Sequence, residues 1–176
     1  MNCSNRFASR FMPRASLVRG AGCLALLAML AACSPNDKVG ITDRAQIVQA
    51  VAGQLNLWVR AINNRSLDTL GALYLRSPDV AIVWLDGERT RGWNEAASKW
   101  KRYLDGLSQL NFVMENPVID VVDRNVAVVT FRTVVDAVGA GRERHPGRGT
   151  QVWMKDPSDG RWRIRDEHQS IVLEKS

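Results

Sequence analysis

A chain of 176 residues with 24 basic and 18 acidic side chains, net +6, is long enough for one ordinary domain with a buried core and too short for two once a leader is set aside. The positive excess sits at the start: residues 1–32 hold Arg6, Arg10, Arg14 and Arg19 and no acid, which leaves 20 basic against 18 acidic side chains in the remainder. That balance excludes the concentrated basic footprint of a nucleic-acid binder, and because Cys3, Cys23 and Cys33 are the only cysteines, the folded part contains no disulfide.

The arginines are followed by an apolar run, Ala21 to Ala32, which is the layout of a secretory signal, with Met1 or Met12 as its start. Twelve residues are too few to span a bilayer as a permanent helix. The run ends in Leu30-Ala31-Ala32-Cys33, which resembles the lipobox of bacterial lipoproteins, where the cysteine is lipidated and becomes the new N-terminus. Residues 1–32 are therefore expected to be a signal peptide, and lipidated Cys33 a membrane anchor facing the periplasm. Ser34 after that cysteine implies, by the same resemblance, export to the outer membrane. Residues 33–41, polar and containing Pro35 and Gly40, form the tether.

Residues 42–176 read as a single domain. Thr42 or Asp43 suits a helix N-cap, and Ile47, Val51, Leu55, Trp58 and Ile62 form one apolar stripe that predicts a helix to about Asn63. Ser66 caps a second, short helix with Leu67, Leu70 and Tyr74 on one side. Val80 to Leu85 and Glu88 to Arg91 predict a hairpin around Asp86-Gly87. A third helix, about Trp93 to Gly106, places Trp93, Ala97, Trp100 and Leu104 on one face.

The chain then becomes a meander. Leu110 to Val122 predicts a strand interrupted near Pro117, where the missing donor is tolerated at a bulge or an edge. Val126 to Val138 predicts a strand rich in β-branched residues, and Gly139 to Gly147 a basic loop tip. Arg148 to Lys155 predicts the next strand, and the turn Asp156 to Gly160 leads into the last. Helices first and an antiparallel meander last predict an α+β domain, with helices packed on one face of a curved sheet. In the terminal stretch Gly160 to Val172, strict alternation puts Trp162, Ile164, Asp166, His168 and Ser170 on the core face, and Arg161, Arg163, Arg165, Glu167 and Gln169 on the other.

The order of these elements resembles the NTF2-like superfamily and, within it, the SnoaL-like group. The likeness rests on Trp58 with Ala61, Leu67-Asp68 to Tyr74, Gly92 opening the third helix, Asn125-Val126-Ala127, and Asp159-Gly160-Arg161-Trp162 to Ser170. It implies three helices closing one side of a strongly bent, mostly antiparallel sheet around a pocket, and a homodimer formed through the sheet. Relatives include isomerases, cyclases, dehydratases and binding or assembly modules, so fold alone does not set function.

Six tryptophans suit the wall of a site for an apolar or cyclic molecule, because each ring is large and carries one polar handle. By the resemblance Trp58, Tyr74, Trp100, Phe112, Phe131 and His168 are expected to line the pocket; the alternative is that aromatic residues simply fill the core. Asp166 and His168 stand two apart on one expected strand face, roughly 6–7 Å from each other. A carboxylate there orients an imidazole as a general base, which makes this pair the candidate catalytic residues. The first helix holds no tyrosine to match the oxyanion hole of the related steroid isomerases, so that chemistry does not carry over. Two histidines, no domain cysteine and no glycine-rich phosphate loop argue against a metal or nucleotide cofactor. The expectation is a membrane-anchored module that binds a small hydrophobic molecule or assembles with a partner. The alternative is a cofactor-independent isomerase, cyclase or dehydratase using His168 and Asp166.

Overall fold

The computed structural model describes residues 39–172. The expected leader, Cys33 and most of the expected tether lie outside the described residues, and so does the expected lipid anchor. Helix α1 spans Ile41–Asn63 and starts on Gly40. Thr42 and Asp43, expected as caps, sit inside the first turn, where the Asp43 carboxylate complements the helix dipole. At its far end the Asn63 side chain donates to the Phe112 carbonyl at 2.9 Å and accepts from the Phe112 amide at 2.7 Å, which fastens the helix to the sheet.

Ser66 caps α2, Leu67–Leu73, by accepting from the Thr69 amide. Strands β1, Ala81–Val83, and β2, Arg89–Arg91, flank the turn at Gly87, and α3 spans Trp93–Asp105 with Trp93, Ala96, Trp100 and Leu104 buried. Four long strands follow: β3 Gln109–Val121, β4 Val126–Val138, β5 Arg142–Lys155 and β6 Trp162–Ile171. The sheet order is β2-β1-β6-β5-β4-β3, antiparallel throughout except for β1 beside β6. Pro117 lies on the edge strand β3, at a break in register between Glu115 and Val118, where its missing N–H leaves no ladder bond unmade. The result is an α+β domain with three helices packed on a mostly antiparallel, curved sheet. Its core runs from Val51 and Trp58 on α1 to Phe131, Trp153 and Ile164 on the sheet. Among the described residues no helix is long and apolar enough to cross a membrane.

Two expectations are corrected. Strand β5 begins at Arg142, six residues before the expected Arg148, so the loop tip contracts to 139–141 and its expected basic residues fall on the strand. Two glycines of this strand have a packing role: a Cβ on Gly147, which had suggested a loop, would lie 2.5 Å from the Thr133 hydroxyl, and one on Gly149 would lie 2.4 Å from the Phe131 ring. They admit the side chains of β4 across the ladder.

The second correction concerns β6. Trp153 pairs with Ile164, yet the adjacent Val152 pairs with Asp166, so one extra residue, Arg165, bulges between them. A one-residue insertion inverts every later side chain. Trp162 and Ile164 face the core as expected, but beyond the bulge Glu167 is 2 % exposed while His168 is exposed. Asp166 pairs with the neighbouring Arg165 guanidinium on the partly exposed side.

Candidate functional site

The same inversion creates a buried polar cluster. Glu167 on β6 is placed beside Ile82 of β1 and Gln151 of β5 by the strand register. The Tyr74 hydroxyl, at the C-terminal end of α2, donates to Glu167 Oε2, and Gln169 Nε2 donates to Glu167 Oε1. Trp58 Nε1 on α1 donates to the Tyr74 oxygen at 3.0 Å, and Trp153 Nε1 donates to Gln151 Oε1 at 3.1 Å. Two donors in this region, Trp100 Nε1 near the Tyr74 hydroxyl and Gln151 Nε2 near the Glu167 carboxyl, are buried without a well-formed hydrogen bond. Unmade bonds of this kind are costly, and native structures keep few of them.

Burial is the main influence on the Glu167 carboxyl, because a charge removed from water is disfavoured. It pushes the group up to about 7, against the opposing pull of the Tyr74 and Gln169 hydrogen bonds and the nearby Gln151 amide. Burial, and then the Glu167 charge, likewise hold the Tyr74 phenol well above its usual range. The cluster thus contains a carboxyl that exchanges its proton near neutral pH, next to a phenol that keeps its own.

Beside the cluster lies a cavity of about 310 Å³ between α3, β1 and the inner face of the sheet. Trp84, Trp100, Tyr103 and Phe112 supply an aromatic wall, with Trp84 and Trp100 meeting edge to face at 5.1 Å. Polar groups enter from Gln169, from His145 and Glu143 on β5, and from Lys99 on α3. Lys99 is held at the rim by Asp86 at 2.6 Å and stands 5.2 Å from the Trp84 ring. His145 Nδ1 is buried and unpartnered. A larger hollow of about 420 Å³ at the start of α3, bordered by Arg76, Arg91 and Asn94, is more open to solvent and has no such aromatic wall. Among the described residues no three His, Cys, Asp or Glu side chains are grouped to hold a metal ion.

Of the residues expected to line the pocket, the cavity wall contains Trp100 and Phe112. Trp58 and Tyr74 are fully buried behind it. Phe131 packs against Trp58 at 5.9 Å, in the space left by Gly149. His168 and Asp166, the expected acid–base pair, lie beyond the bulge on the opposite side of β6 from Glu167, outside the cavity wall. In their stead stand Gln169 in the wall, Glu167 hydrogen-bonded behind it, and His145 in the wall. The signal for the first two was the tail of the strand, where Glu167, Gln169 and Ile171 also alternate with period two and end on an apolar residue. His145 stood in a segment whose glycines suggested a loop.

The SnoaL-like domain family matches residues 51–174. The fold is similar to a provisionally assigned dehydratase of the NTF2-like family from Streptomyces avermitilis, at 18% identity and TM-score 0.68 over 74% of this chain and 99% of that one. It is also similar to an NTF2-like superfamily protein from Salmonella enterica serovar Typhimurium, at 24% identity and TM-score 0.69 over 76% and 96% of the two chains. A provisionally assigned scytalone dehydratase from Novosphingobium aromaticivorans aligns at 12% identity and TM-score 0.67 over 75% and 88%. Among curated proteins none matches.

Proposed function

Because the chain belongs to the SnoaL-like domain family, a fold that serves both binding and catalysis, we propose that it is a binding module for a small, mainly apolar cyclic molecule. The observation that carries this reading is the cavity of about 310 Å³, whose wall is aromatic and whose inner end meets the Tyr74–Glu167–Gln169 cluster. A concave, largely apolar site with a few convergent polar groups is the usual form of a small-molecule site. The proposal extends to a lipid on Cys33 that anchors the domain at the periplasmic face of the outer membrane, and to a homodimer formed through the sheet. Both rest on the sequence pattern and the family resemblance.

A second reading, a cofactor-independent isomerase, cyclase or dehydratase, is favoured by one observation. Glu167, with its carboxyl at about 7, is matched to proton transfer near neutral pH. In this reading Glu167 replaces His168 and Asp166 as the acid–base group.

Native mass spectrometry of the protein purified gently from its own host tests these points together. The expected result is a dimer mass, an acyl mass on Cys33 and a co-purifying apolar compound. Repeatedly empty protein that also takes up no apolar compound on titration would refute the binding reading. With a compound in hand, turnover that disappears in Glu167→Gln would select the enzyme, whereas binding with no chemical change would select the module.

A further inference from the structure

We propose that the cavity selects a neutral cyclic molecule carrying a hydroxyl group, and that Gln169 receives that hydroxyl through its amide oxygen, in an orientation set by Glu167. This rests on the binding reading above and names the ligand class.

The argument begins with the i, i+2 relation on β6. Glu167 and Gln169 share a face, but only Gln169 reaches the cavity wall. An ionised carboxylate can only accept hydrogen bonds, so the amide beside it must turn its NH₂ toward it. That is the arrangement observed, with Gln169 Nε2 donating to Glu167 Oε1. The amide oxygen is left over, and among the described residues no hydrogen bond is made to it. Rotation of the amide is blocked while Glu167 is charged, since it would set two acceptors against each other. The cavity therefore presents a fixed acceptor on an otherwise apolar wall, and an acceptor selects a donor. An ether or a bare hydrocarbon cannot serve Gln169.

The titratable group facing Glu167 is Tyr74, which donates to its other oxygen. Across the cavity stand Glu143 and His145 from β5, Lys99 and Tyr103 from α3, and Asp86 beside β1. Protonation of Glu167 would give it a donor of its own, release the amide to rotate, and weaken the preference for a hydroxyl.

Calorimetric titration of the full-length protein with naphthol, its methyl ether and naphthalene tests this without knowledge of the natural ligand. At about pH 8, naphthol is expected to bind roughly three- to tenfold more tightly than the ether, the range of one neutral hydrogen bond. Gln169→Leu should erase that ratio. At about pH 5.5, below the Glu167 transition, the wild-type ratio should shrink. Equal binding of naphthol and ether by wild type, a comparison that needs no variant to fold, would overturn the proposal while leaving the binding module intact. So would a ratio that survives in Gln169→Leu. A ratio independent of pH would overturn the orienting role of Glu167, and failure of all three compounds to bind would overturn the binding reading with it.

Discussion

Glu167 is a buried side chain whose environment departs far from that of a free amino acid. Its folded-state value is raised from 4.5 to about 7 by burial, so between those limits the folded chain binds a proton that the unfolded chain has released. The stability linked to that proton is fully present below about 4.5 and is lost as pH rises toward about 7. Glu167→Gln, which cannot ionise, is expected to flatten this part of the stability curve. The wild type should fall relative to it by roughly 1–3 kcal/mol in urea unfolding across the series. Tyr74→Phe tests the same cluster from the other side. It leaves Trp58 Nε1 without an acceptor and Glu167 Oε2 without a donor, and should cost about 1–3 kcal/mol in the same assay. Because the lost hydroxyl favours the charged carboxylate, the transition assigned to Glu167 should also move upward. A transition that moved downward would contradict the assigned bond.

At the level of single elements, helices and strands followed from spacing. The α1 stripe, the Ser66 cap and the β4 boundaries at Val126 and Val138 coincide with the expected ones, since each depends on a repeating local pattern. Two features escaped because a partner strand decides them. One is the start of β5, where Gly147 resembles a loop residue until Thr133 is seen against it, as Phe131 is against Gly149. Gly149→Ala should therefore lower stability by about 1–3 kcal/mol, the range for overpacking a filled core. Gly141→Ala, with open space around its Cβ, should stay within about 0.5 kcal/mol; thermal melts followed by circular dichroism compare them. A neutral Gly149→Ala would show that Phe131 does not occupy that space. The other feature is the β6 bulge at Arg165. Nothing local in Arg163-Ile164-Arg165-Asp166 marks the inserted residue, because apolar, basic and acidic side chains all occur beside bulges. It is the pairing with β5, where Trp153 and Gln151 both point inward, that turns Glu167 inward too.

For the molecule as a unit, the cavity is a space left unfilled between helices and sheet, and filling it should act on the global folding equilibrium. A ligand that binds only the folded state adds RT ln(1 + [L]/Kd), about 2.7 kcal/mol at a hundredfold excess over Kd. Naphthol at that level is accordingly expected to raise the melting temperature of the whole domain in a single cooperative transition. No rise under conditions where calorimetry detects binding would mean that the compound sits on the surface or binds the unfolded chain as well. The core residues that enclose the space come from distant segments, from Ile82 on β1 and Trp100 on α3 to Val135 and Ala137 on β4.

By itself the sequence determined the class of fold, the number and order of helices and strands, the aromatic supply of the interior and the family. Each of these is written in residue periodicity and in short capping or turn signals that act over a few positions. Only the tertiary structure decided which face of β6 looks inward, and hence that Glu167 and Gln169, in place of Asp166 and His168, stand by the cavity. It also decided which aromatics became wall and which became core. The physical reason is the same for both: a strand's facing is set by its register with its neighbours, and a one-residue bulge reverses it at no cost visible in composition. Whether a ring borders open space depends on what the facing element leaves vacant, a property shared between distant segments and carried by none of them alone.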